Sequence, residues 1–281
     1  MRTSYSSGQV LLITLLVLTV LITIGLAFIG RARTDTTIST EVEESARAFS
    51  AAEAGIEDAL KKGISQDSPL PLSGVSASFT TKINSISSGV GVYAFPQVVK
   101  RGDTETLWLV NHNADQTLDE TPLYTNNTIR ICWKGVGGTT SPALSVIVLY
   151  KRDNQYRTAR AAFDPESGRA NNFAPAGSLG NSCGQSNVYS QVITFSNFSP
   201  QINVTPPNAS DVLIALRLRP LYADAWLYVD SQVSLPSQGN LVTSTGTTGS
   251  GVTRKIVVLQ QFRSPSSVFD AAIVSQTDFS R

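Results

Sequence analysis

Charge is scarce in this chain: Asp, Glu, Lys and Arg make up 15% of the 281 residues, against roughly 25% in an ordinary soluble domain. Net charge is +1 and the pI about 7.7. No basic field is available to hold nucleic acid nonspecifically, so nucleic acid is not expected as a partner. The single histidine, His112, excludes two-histidine metal motifs and leaves little room for a histidine-based triad. Two cysteines, Cys132 and Cys183, are too few for a disulfide-dense scaffold or a thiolate-only zinc site. They are either one candidate disulfide, closing a long loop for about 4 kcal/mol in an oxidising compartment, or two unpaired buried thiols.

Two further absences organise the amino-terminal region. No charged residue occurs between Arg2 and Arg31, and no proline between residues 9 and 62. The apolar run from Val10 to Ile29 is long enough, at about 1.5 Å per residue, to cross a hydrocarbon core roughly 30 Å thick. It exceeds the core of an ordinary secretory signal and passes into Gly-Arg-Ala-Arg, which disfavours cleavage on its far side. A helical period continues beyond it, with Ile38, Val42, Ala46, Phe49, Ala52, Ile56, Ala59 and Leu60 at steps of three or four. Lys61, Lys62 and Gly63 form a carboxy-terminal helix signal. One helix over 9–63 is therefore expected, membrane-spanning at about 10–29 and amphipathic beyond, with its stripe on the folded domain.

Residues 64–76 combine proline, glycine and small polar side chains and read as a linker. From 77 to 281 the period becomes strand-like. Candidate strands are Ser78–Ile83, Thr106–Val110, Thr128–Lys134, Ala143–Lys151, Gln155–Phe163, Val188–Phe195, Val212–Leu218, Ala225–Val233 and Arg254–Phe262, rich in aromatic and β-branched residues. Turn clusters lie at 134–140, 151–155 and 243–251. The expected fold class is α+β: a long amino-terminal helix and one mainly antiparallel β-sandwich over 77–281. Gly135–Gly138 lacks the lysine and helix of a phosphate loop and reads as a hairpin turn. Asp115, Asp119 and Glu120 carry hard oxygens but lack the spacing of a calcium loop and read as a solvated acidic loop. Trp108, Trp133 and Trp226, with Tyr150, Tyr156, Tyr222 and Tyr228, are either core or a surface-binding face. No catalytic constellation, cofactor motif or metal motif is apparent, and the chain reads as non-enzymatic.

Gly8 followed by an apolar helix, with a short polar leader at residues 1–8, resembles the amino-terminal signal of type IV pilins and type II secretion pseudopilins. The segment Ala48-Phe-Ser-Ala-Ala-Glu-Ala-Gly-Ile-Glu-Asp-Ala-Leu60 resembles minor pilins of the PilX type. Together the matches cover about residues 1–60. The resemblance implies a prepilin peptidase cut between Gly8 and Gln9, storage of the helix in the cytoplasmic membrane, and assembly with other pilin-like subunits. Two positions depart from the family: Ile13 stands where major pilins carry a glutamate, and Gln9 where phenylalanine or methionine is common. The first implies a minor or tip subunit.

The expectation is a single-pass cytoplasmic-membrane protein with its carboxy-terminal domain outside, later part of a pilus or the cell surface, acting in assembly or adhesion, with an unknown surface ligand left open. Arg31 and Arg33 count against that orientation; the sparsely charged, polar β region argues for it. The alternative is an extracytoplasmic β-sandwich binding module on an uncleaved signal anchor.

Overall fold

A computed structural model describes residues 7–86, 89–113, 115–138, 140–207 and 209–270. Most of the expected leader, residues 1–6, lies outside them. The chain opens with helix α1 (Ser7–Lys62). Gly63 ends it at φ +70°, donating its N–H to the Ala59 carbonyl at 2.8 Å, the left-handed cap that glycine accepts without strain.

The strands that follow are β1 (Gln66–Pro71), β2 (Ala77–Ser85), β3 (Gly89–Ala94), β4 (Glu105–Trp108), β5 (Asn111–His112), β6 (Leu118–Asp119), β7 (Thr128–Gly135), β8 (Ala143–Arg152), β9 (Gln155–Asp164), β10 (Ala174–Pro175), β11 (Gly180–Ser182), β12 (Gln185–Thr194), β13 (Asp211–Leu221), β14 (Ala225–Leu235), β15 (Gly239–Thr248) and β16 (Thr253–Gln261). The class is α+β. Strands pair in a four-stranded sheet, β1-β2-β15-β16, in two five-stranded sheets, β10-β9-β8-β13-β4 and β11-β12-β7-β14-β3, and in the ribbon β5-β6.

The chain forms two compact units, one running to Ile83 and including Val242–Val258, the other comprising Asn84–Leu241 and the chain from Leu259. The single β domain expected over 77–281 is thereby corrected. Strand β15 returns to lie beside β2, with β16 beyond it, because pairing follows apolar faces and not chain order. The linker over 64–76 is also corrected, since β1 lies within it. Its Pro69 and Pro71 cannot donate to a ladder, which suits the edge position that β1 occupies.

In the first unit, the carboxy-terminal half of α1 packs on the four-stranded sheet. Ala48, Ala51 and Ala52 are wholly buried, with Gly55, Ile56 and Ala59 beside them. Ile56, Ala59 and Val242 form an apolar cluster with Ile83, Ile256 and Val258 around it. The expected stripe is only partly the docked one, because Ile38, Val42, Phe49 and Leu60 remain exposed. A helical period marks apolar positions without choosing between adjacent faces. Here the face of smallest side chains is the one that docks, since it permits the closest approach.

In the second unit the two five-stranded sheets face each other. Ile129, Ile131 and Trp133 of β7 and Leu227 and Val229 of β14 meet Val146, Val148 and Tyr150 of β8 and Leu216 and Leu218 of β13, the inner faces of a two-layer sandwich. A register shift between Leu213 and Ala215 divides β13, so that Leu213 and Leu216 join this core while Ile214 and Ala215 join a second cluster with Trp108 and Val110. Strands β8 and β9 form a hairpin whose turn residues, Asp153 and Asn154, have φ of 49° and 63°, as a tight two-residue turn requires. Gly135–Gly138 is not a hairpin turn: it carries the chain from β7 in one five-stranded sheet to β8 in the other.

Candidate functional site

From Val10 to Ile29 every residue of α1 is exposed, the large apolar side chains from 47% at Val20 to 71% at Leu11. The helix is long and apolar enough to cross a membrane. Its few polar side chains are satisfied internally. The hydroxyls of Thr14, Thr19 and Thr23 donate to the carbonyls of Leu11, Leu16 and Val20 at 2.9, 2.8 and 2.8 Å, which removes their demand for water in an apolar surrounding. Gly8 and Gln9 sit in the first turn of α1, and Ile13 presents an apolar surface, 53% exposed.

The other half of the helix is fixed by contacts that admit no larger side chain. A Cβ on Gly246 of β15 would lie 2.0 Å from the Ala48 carbonyl oxygen and 2.5 Å from the Ala52 nitrogen. A Cβ on Gly55 would lie 2.2 Å from Ser244 Oγ and 2.8 Å from Phe79 Cδ2. Polar contacts hold the rim: Ser250 Oγ donates to Glu44 at 2.6 Å and Arg254 Nε to Ser45 Oγ at 2.8 Å. The Ser250 and Thr248 hydroxyls, and then Arg47, hold the Glu44 carboxyl below its ordinary value.

Cys132 and Cys183 are joined by a disulfide. Cys132 lies on the outer face of β7, opposite Ser190 of β12 and Tyr228 of β14, while Cys183 lies in the turn between β11 and β12. The bridge is buried with Val188 and Tyr228 and pins that turn to the sheet. None of this belongs to the sandwich core, whose β7 residues are those alternating with Cys132.

The remaining polar candidates do not converge. Asp115 accepts hydrogen bonds from the N–H and hydroxyl of Thr117, and Asp119 from those of Thr121. These bonds hold both carboxyls below their ordinary values, the hydroxyl contributing most in each case. Glu120 is engaged by Lys151 and Tyr156. Among the described residues no group of three or more His, Cys, Asp or Glu is placed to hold a metal ion.

His112 is half-buried: it stacks on Phe262 at 3.8 Å and meets the edge of Trp108 at 4.7 Å. Burial pushes its imidazole below the ordinary value. The aromatic residues split by role. Trp133 and Tyr150 are core, Trp133 donating Nε1–H to the Pro142 carbonyl at 2.8 Å, while Tyr156 and Tyr222 are exposed. No single aromatic face results.

Several structural contacts were not visible in the sequence. Arg152 pairs with the fully covered carboxylate of Asp211, which also accepts the Asn203 N–H at 2.6 Å. Arg217 makes a buried pair with Asp270. The Gln238 amide caps the edge strand β4 at Trp108, accepting its N–H at 2.8 Å and donating to its carbonyl at 2.9 Å. The Arg152–Asp211, Arg217–Asp270 and Gln238–Trp108 contacts each join residues more than fifty apart, and no local pattern signals such a pair.

Comparison with protein-family models, curated proteins and solved structures returns no match for this chain.

Proposed function

We propose that this protein is a structural, non-enzymatic minor pilin or pseudopilin subunit, processed after Gly8 by a prepilin peptidase and built into a type IV pilus or related filament, with a role in assembly or adhesion. The observation that carries this reading is the division of labour along α1. One half is docked through Ala48, Ala52, Gly55 and Gly246, and the other exposes an unbroken apolar surface. An apolar half-helix can pass from bilayer to filament interior at little free-energy change, because both shield the same side chains from water. Ile38, Val42 and Phe49 support it further. They lie within about 40° of one another around the helix and stay exposed beyond the apolar half, available to neighbouring subunits.

Ile13, lacking the carboxylate of a major pilin, favours a minor or tip position. It equally suits the second reading, a permanent signal anchor carrying a binding module. Mass spectrometry of the amino-terminal peptide from cells with and without the peptidase separates the two. A terminus at Gln9 that depends on the peptidase is expected; an uncut terminus in both strains overturns the pilin reading and leaves the anchor.

A further inference from the structure

The sandwich of the second unit is open along one side. Strand β9 is paired on one edge with β8; on the other, β10 covers only Phe163 and Asp164. On the far wall β12 pairs with β7 from Tyr189 to Thr194, and its outer edge is met by β11 up to Val188 and by the Gly177 N–H at the Ser190 carbonyl, 3.1 Å. Among the described residues, the outer edges of Gln155–Ala162 and Gln191–Thr194 have no backbone partner.

Between them lies a groove of about 420 Å³. Ala159, Ala161, Phe163, Ile193 and Phe198 give it an apolar floor that reaches the core of the sandwich. Arg160 lines its rim, and Arg157 lies on the same strand. Both are exposed, and among the described residues neither guanidinium has an ion-pair or hydrogen-bond partner.

We propose that this open side binds an extended peptide segment of another polypeptide, small or apolar at alternate positions and carrying a carboxylate, which adds as a strand to the outer edge of β9. The unpaired N–H and C=O groups of β9 supply main-chain hydrogen bonds, and the apolar floor takes every second side chain. The carboxylate meets Arg157 or Arg160, whose charges are otherwise uncompensated. The chain itself displays the pairing. Ala174–Pro175 already adds in parallel to Phe163–Asp164, and Ala176 donates to the Asp164 carbonyl at 3.1 Å. The occupant continues that line along the uncovered outer edge of Gln155–Ala162, about 25 Å of strand. This proposal is independent of the fate of α1 and of the processing site.

The test uses the full chain in nanodiscs and a fluorescein-labelled probe peptide, Asp-Val-Ser-Val-Thr-Val-Ser, followed by fluorescence anisotropy with empty nanodiscs as background. Saturable binding with Kd of about 100 µM or tighter is expected. The double variant Arg157→Glu, Arg160→Glu, checked by near-ultraviolet circular dichroism, is expected to weaken it about ten-fold. Two versions of the probe, N-methylated on alternate amides, differ in whether the blocked groups face β9: one is expected to bind about ten-fold more weakly and the other to keep its affinity. Absence of saturable binding up to about 1 mM overturns the proposal. So does equal binding of the two methylated probes, or indifference to the charge reversal.

Discussion

Gly246 has no room for a side chain. The atoms a Cβ would strike, the Ala48 carbonyl oxygen and the Ala52 nitrogen, belong to the helix backbone and cannot rotate away. Gly246→Ala is therefore expected to lower stability by about 2 kcal/mol or more, read as a fall in the thermal unfolding midpoint. Gly25→Ala is the control. Nothing lies within 4 Å of a Cβ there, and helix propensity alone predicts no loss and up to about 1 kcal/mol of gain. Equal effects at the two glycines would show that docking does not run through Gly246. Asp211 sets a second test. Burial raises its carboxyl pKa, but the Arg152 guanidinium and the Asn203 N–H outweigh that and hold it below the ordinary 3.8. A carboxyl depressed in the folded state contributes stability that is complete above its unfolded pKa and lost as pH falls through the folded one. Asp211→Ala, which strands Arg152, is expected to cost about 3 kcal/mol near neutral pH. In urea unfolding the gap from the unsubstituted protein should narrow below about pH 4; a gap unchanged by acid would exclude the ion pair as its cause.

At the scale of elements, β15 shows where reading the sequence succeeds and where it stops. Nine aromatic and β-branched runs announce strands, and β2, β4, β7, β8, β9, β12, β13, β14 and β16 stand there to within a few residues. Strand β15 is different: Thr243–Gly251 reads as a turn cluster, yet Gly239–Thr248 is a strand of the sheet on which the helix docks. Ser244 and Gly246 are small because the helix lies against them, and that cause sits some two hundred residues away in the chain. Strand β3 escapes for a different reason: its Gly89 and Gly91 have φ of 140° and 130° with nothing within 4 Å of a Cβ at either, so its glycines read as turn residues. Of the candidate site, the apolar run was legible because it is local. So was the pair Cys132 and Cys183, there being no other cysteines. The face of α1 that docks was not, since period alone leaves it open. The disulfide acts at this scale, tying the β11–β12 turn to β7. The double variant Cys132→Ala, Cys183→Ala is expected to lose about 4 kcal/mol in denaturant unfolding; a loss under about 1 kcal/mol would mean that the packing of Val188 and Tyr228 holds the turn unaided.

Across the whole molecule, burial is distributed unevenly along α1, and a consequence for the intact protein follows. No side chain from Val10 to Ile29 contributes to a core, so removing that half takes away no buried apolar area. The docked half retains its own rim and floor in Glu44, Ser45, Ala48, Ala52, Gly55 and Ile56. A chain lacking residues 1–30 is therefore expected to fold with both units intact. Its unfolding free energy should lie within about 0.5 kcal/mol of that of the full chain, the scale of a surface change. The difference should appear in partition: the full chain sediments with membranes because its exposed helix has nowhere else to be shielded from water, and the shortened chain stays in the supernatant. Sedimentation after membrane fractionation, with circular dichroism of both proteins, measures the two quantities together. A shortened chain that is unfolded would show that the apolar half supports the fold, and one that still sediments would place membrane attachment outside that half.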